Sequence, residues 1–102
     1  MAEFVTVGRV DDVPQGEIRE FNVHGQEIAI VNVDGAFYAI DGLCTHRECS
    51  LADGDLEDTT IACVCHGSKF DVRTGEVLNP PASEPVSTYG VRDEDGELKV
   101  EV

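Results

Sequence analysis

The chain has 102 residues, 41% of them hydrophobic, with 7 Lys plus Arg against 21 Asp plus Glu and a formal net charge of −14. That length suits one domain with a modest core of its own. Such acidity excludes nucleic acid and anionic membrane as partners; it suits a basic patch on another protein, where complementary charge speeds encounter, and it serves solubility equally well.

The opening MAEFVTVGRV is polar and alternating, without the basic start and apolar run of a secretory signal. No apolar run reaches the roughly 20 residues of a membrane helix. A cytoplasmic protein is expected, and there cysteines serve metal binding before structural disulfides.

No segment of helical length holds a 3.6-residue apolar period, and short strand-like runs dominate. Residues 4–7 open as a strand, followed by a turn region at 11–16. Residues 18–23 alternate, and His24-Gly25 forms a two-residue turn into 28–33. Asp34-Gly35 is a stronger hairpin signal and leads into 37–40. Near the end, 86–91, Asp95-Gly96 and 98–102 read as another hairpin. The reading is all-β: one domain over 1–102, whose loop-rich middle third, about 43–71, stands on a basal β domain.

The chemistry concentrates in that middle third. Cys44-Thr45-His46-Arg47-Glu48-Cys49 and Cys63-Val64-Cys65-His66-Gly67-Ser68 hold all four cysteines and two of the three histidines. Soft thiolates and borderline imidazoles suit a transition metal or an iron–sulfur cluster. Structural zinc takes four such ligands in two close pairs, but its pairs are usually separated by two to four residues, and Cys44-Thr45-His46 leaves only one. An all-cysteine [2Fe–2S] centre on Cys44, Cys49, Cys63 and Cys65 matches the first plant-type interval and then fails, because position 52 is Ala52. It also leaves His46 and His66 without a role. In a Rieske centre, two histidines replace two cysteines on one iron.

Cys44-Thr45-His46, sixteen residues, then Cys63-Val64-Cys65-His66 resembles the Rieske motif, C-x-H followed by C-x-x-H. The segments 66–71 and 73–76 resemble the stretch after the second cluster loop of Rieske ferredoxins. Asn79-Pro80-Pro81-Ala82 resembles the proline-containing third loop that covers the cluster. The resemblance implies a Rieske domain of three antiparallel sheets with a loop-rich cluster-binding subdomain, and one [2Fe–2S] cluster. Cys44 and Cys63 would bind one iron, and His46 and His66 the other. Two ferric irons, two sulfides and two thiolates sum to zero charge, whereas an all-thiolate cluster carries −2. Reduction is correspondingly easier, with Rieske potentials of about −150 to +300 mV against about −400 mV for plant-type ferredoxins.

Several further expectations follow from the same resemblance. Cys49 and Cys65 match a pair that forms a loop-tying disulfide in respiratory Rieske subunits and that most oxygenase ferredoxins lack. A Cys49–Cys65 disulfide is therefore expected, with two buried thiols as the alternative. Ser68 matches a serine that donates to a bridging sulfide in the high-potential group, while Phe70 replaces a tyrosine whose hydroxyl bonds a cysteine sulfur. Gly67, Pro80 and Pro81 complete the surroundings of the cluster. The potential should lie above typical oxygenase ferredoxins and below respiratory proteins. Arg47 and Lys69 form a candidate positive docking patch at the cluster end.

With only His24 to spare, the chain cannot build the two-histidine, one-carboxylate iron site of an oxygenase. It carries no flavin or nicotinamide fingerprint. The implied function is a monomeric electron-transfer component, not an enzyme, that accepts an electron from a ferredoxin reductase and passes it to a terminal aromatic-ring-hydroxylating oxygenase. The alternatives are the small Rieske subunit of a nitrite reductase, a free-standing high-potential Rieske protein, and, from another class, a zinc-stabilised interaction domain.

Overall fold

The structure is a computed structural model, described here for residues 3–43, 49–64, 67–80 and 84–101. Among these residues lie eleven strands: β1 (Phe4–Arg9), β2 (Ile18–Val23), β3 (Gln26–Val33), β4 (Ala36–Asp41), β5 (Asp55–Glu57), β6 (Thr60–Ala62), β7 (Lys69–Asp71), β8 (Val77–Asn79), β9 (Thr88–Tyr89), β10 (Val91–Glu94) and β11 (Glu97–Glu101). Two single 3₁₀ turns, Val10–Asp12 and Leu51–Asp53, complete the regular structure. No helix here is long and apolar enough to cross a membrane. The strands form three antiparallel sheets, in the orders β1-β11-β10, β2-β3-β4-β9 and β5-β6-β7-β8. The all-β, three-sheet expectation therefore holds.

The hairpin turns follow from residue chemistry. His24-Gly25, Asp34-Gly35 and Asp95-Gly96 all have positive φ, as a two-residue type I′ turn requires of both central residues. Asn22 and Asn32 accept the amides of Gly25 and Gly35 through their side-chain oxygens, tying each turn to the strand before it. Asn32 also donates to the Val13 carbonyl, so this buried amide has partners on both sides.

β3 is the spine of the molecule. Ile28, Ala29, Ile30 and Val31 are all fully buried, because the strand is covered on both faces. Ile28 and Ile30 pack with Val23, Ala39, Leu98 and Val100 towards the first sheet. Ala29 and Val31 pack with Ile40, Leu51, Ile61 and Phe70 towards the third. Two cores thus share one strand, and the second of them lies under the cysteine-bearing loops.

Two parts differ from the sequence expectation. The region read as loop-rich contains β5, β6 and β7, and their sheet continues to Asn79. Each of these strands has three residues and sends a single side chain inward (Leu56, Ile61 or Phe70), so no alternation is visible in the sequence. The run 86–91 divides at Gly90: β9 pairs with β4 in the second sheet, and β10 pairs with β11 in the first. A Cβ at Gly90 would lie 3.2 Å from the Glu101 carboxylate and 3.5 Å from the Phe4 ring, so the crossing point is crowded.

Candidate metal centre

Both cysteine-bearing loops are closed at their bases by backbone bonds. The first leaves β4 through Gly42 and returns at Ser50, where Leu43 and Ser50 form an isolated antiparallel bridge. The Leu51 amide donates to the Gly42 carbonyl at 2.7 Å, and the Gly42 amide to the Glu27 carbonyl at 2.9 Å. Leu51 is fully buried and anchors the return, with Cys49 packed against the same core. Cys44, His46 and Arg47 lie outside the described residues.

The second loop is the tip of the β6–β7 hairpin, whose last pair is Ala62 opposite Lys69. The Cys63 amide donates to the Ser68 carbonyl at 2.7 Å, and the Gly67 amide to the Cys63 carbonyl at 3.0 Å. Gly67 has φ +76°, which a residue without a side chain adopts at little cost. Cys63 turns inward and is 3% exposed, while its neighbour Val64 is 57% exposed. Ser68 is fully buried although polar. Cys65 and His66 lie outside the described residues.

The third loop starts beside the second. Asn79 Nδ2 donates to the carbonyls of both Gly67 and Pro80 at 3.3 Å. Pro80 is exposed, and Pro81 lies outside the described residues. The far end is held where the Val86 amide donates to the Gly75 carbonyl at 3.0 Å. Gly75 has φ +80°, and a Cβ there would come within 2.0 Å of the Val86 carbonyl oxygen, so only glycine allows this approach. Phe70, fully buried, pairs with Ile61 and Val77 and packs in the same core as Cys63.

Sequence reading missed three positioning elements. Asn79 links two loops, yet nothing in its local sequence shows a tertiary amide contact. Asp71 and Arg73 form a two-pronged pair, Nε to Oδ1 at 3.1 Å and NH2 to Oδ2 at 2.9 Å, and the Asp71 carboxylate also accepts the Arg73 amide. The side-chain bond from Arg73 holds the Asp71 carboxyl below its ordinary value. This pair fixes the turn in which the Gly75 amide reaches the Asp71 carbonyl at 2.7 Å. Tyr89 donates to Asp41 Oδ1 at 2.6 Å and accepts from Gln26. Burial first, then the bond to Asp41, pushes its hydroxyl up to about 12.

A buried cysteine beside a fully buried serine, on a tight hairpin above an apolar core, fits a thiolate-bound iron–sulfur cluster. The floor shields the sulfur from water, and Val64 and Gly67 of the same loop are open to solvent. Among the described residues no group of three or more His, Cys, Asp or Glu is gathered to hold a single metal ion.

The comparisons agree with this fit. The family described as Rieske [2Fe–2S] domain matches residues 3–90. The chain is 41% identical to the biphenyl dioxygenase ferredoxin subunit of Pseudomonas sp. (strain KKS102), over 96% of this chain and 91% of that one. It superposes on a ferredoxin of Sphingomonas yanoikuyae B1 with a TM-score of 0.92 at 34% identity, covering 98% of this chain and 99% of that one. A ferredoxin solved in complex with the oxygenase of carbazole 1,9a-dioxygenase gives a TM-score of 0.90 at 34% identity, over 95% and 91% of the two chains. The chain therefore belongs to the Rieske [2Fe–2S] domain family, among the ferredoxin components of aromatic dioxygenase systems, with one Rieske cluster as its cofactor.

Proposed function

We propose that the chain is a one-electron carrier that accepts an electron from a ferredoxin reductase and delivers it to a terminal aromatic-ring-hydroxylating oxygenase. The observation that carries this reading is the likeness, over nearly the whole chain, to a ferredoxin subunit of a biphenyl dioxygenase. The solved pairing of a similar ferredoxin with its oxygenase supports the acceptor. The chain acts as a component of such a system, without catalytic turnover of its own. A monomer in the cytoplasm, forming one domain over 1–102 with its cluster-binding part at about 43–71, completes the reading.

Cys44 and Cys63 would hold one iron and His46 and His66 the other, supplying a reversible one-electron couple. The residues around them have separate tasks. Leu51, Ile61 and Phe70 exclude water from below. Ser68 and the Gly67 turn shape the second loop, and Asn79 and Pro80 bring the third loop beside it. The exposed loop tip gives a partner close approach, with Arg47 and Lys69 as a small positive patch for docking. A Cys49–Cys65 disulfide would tie the two loops together.

Visible absorption and low-temperature EPR, before and after dithionite, test the reading. A visible band that bleaches on reduction and a rhombic signal of low average g are expected, with two irons and two sulfides per chain. A colourless, EPR-silent protein holding one zinc would overturn it.

A further inference from the structure

We propose that the outer face of the third sheet, beside the Cys63 loop, is the seat for the basic face of the electron-accepting protein, the terminal oxygenase on the function proposed above, on which this inference rests. Strand alternation divides β5–β8 into two faces. Leu56, Ile61, Phe70 and Val77 turn to the core. Asp55, Glu57, Ala62, Lys69 and Leu78 line an open groove of about 410 Å³ on the other side. Leu78 is 47% exposed; among the described residues, it and Val64 of the Cys63 loop are the large apolar side chains left open. Ala62 at the groove directly precedes Cys63, so the groove runs up to the second cluster loop.

Charge identifies the occupant. Asp55, Glu57 and Asp58 are exposed along one side of the groove. Among the described residues no ion pair includes any of the three, whereas Asp71, Glu17 and Glu94 are each neutralised by a neighbouring cation. Against these three carboxylates the groove holds, among the described residues, one cation, Lys69, so it stays net acidic. Beside the apolar Ala62 and Leu78 it attracts a cationic surface from a distance and rewards contact with an apolar centre at close range, with Lys69 left to meet an acidic group at the rim of that surface. Such a surface is small and readily left, as a carrier that must cycle between partners requires.

The test follows the rate at which the dithionite-reduced holoprotein reduces cytochrome c, a basic one-electron acceptor, at low and high salt. The double reversal Asp55→Lys/Glu57→Lys should slow the reaction about tenfold at low salt, the gap closing as salt screens the charges. The reversal Asp93→Lys/Glu97→Lys on β10 and β11 makes the same change in net charge and should have a much smaller effect. Leu78→Ser should slow the reaction at every salt concentration. All three should keep the wild-type visible spectrum and midpoint potential. Equal slowing by both reversals, or none from Asp55→Lys/Glu57→Lys, overturns the proposal, and an unchanged rate for Leu78→Ser overturns the role of the groove. If the wild-type chain holds a normal cluster but transfers nothing, the proposed function falls and this inference with it.

Discussion

The amide of Cys63 donates to the carbonyl of Ser68 at 2.7 Å, so a buried cysteine and a fully buried serine close the second loop on each other. Because Ser68 is fully buried, its hydroxyl lies in a setting that excludes water, where a hydrogen bond to a cluster sulfide would carry its full weight. Ser68→Ala should therefore lower the midpoint potential while leaving the fold intact. A differential hydrogen bond of about 1 kcal/mol corresponds to roughly 40 mV for one electron. Direct voltammetry of the variant checks this, and a potential equal to that of the wild type would assign Ser68 to loop structure alone.

Phe70 occupies the matching position on the core side. It is fully buried between Ile61 and Val77, so Phe70→Ala should cost about 3–5 kcal/mol in urea unfolding. Phe70→Tyr is the informative change. A hydroxyl that reaches a cysteine sulfur withdraws charge and raises the potential, whereas one left unpaired costs about 1–3 kcal/mol and leaves the potential alone. An increase in potential is the expected outcome, read by voltammetry beside an unfolding curve.

Much of this arrangement was readable from the sequence, for reasons particular to certain residues. Asp34-Gly35 and Asp95-Gly96 announce their hairpins because few other pairs accept two successive positive φ values. The two cysteine–histidine runs stand out because soft ligands at tight spacing have few other uses. By contrast, β5–β8 contribute about one inward side chain each, too few to set a period. The division at Gly90 depends on where Glu101 and Phe4 arrive, and the role of Asn79 depends on Gly67, twelve residues away. Long-range packing decides these features, and local sequence does not record it.

Asn79 also gives a stability prediction. Its amide joins the second loop to the third through Gly67 and Pro80. Asn79→Ala should cost about 1 kcal/mol at this exposed site and, more tellingly, should speed loss of visible colour in a chelator. Equal bleaching rates for variant and wild type would show that the third loop does not depend on this tie.

Asp71 sets an acid limb. Because Arg73 depresses its folded carboxyl pKa, the pair contributes stability above the unfolded value, about 4, and loses it as pH falls through the folded value. Asp71→Asn should be less stable than wild type at neutral pH, with the difference shrinking on acidification. Thermal melting across the acid range checks it, and a difference constant with pH would remove the linkage.

Tyr89 sets the opposite limb. Its hydroxyl is pushed up to about 12, chiefly by burial and then by Asp41. The folded state keeps this proton longer than the unfolded chain, whose tyrosine titrates near 10. The contribution is therefore complete below about pH 10 and is lost as pH rises from there through the folded value. Tyr89→Phe removes the bonds to Asp41 and Gln26, costing about 1 kcal/mol at neutral pH. It should also flatten the alkaline decline, since the group that titrates differently in the two states is gone. Urea unfolding at neutral and alkaline pH, with tyrosinate absorbance followed in both proteins, separates the two effects. A variant that declines with pH as steeply as wild type would place the alkaline sensitivity elsewhere.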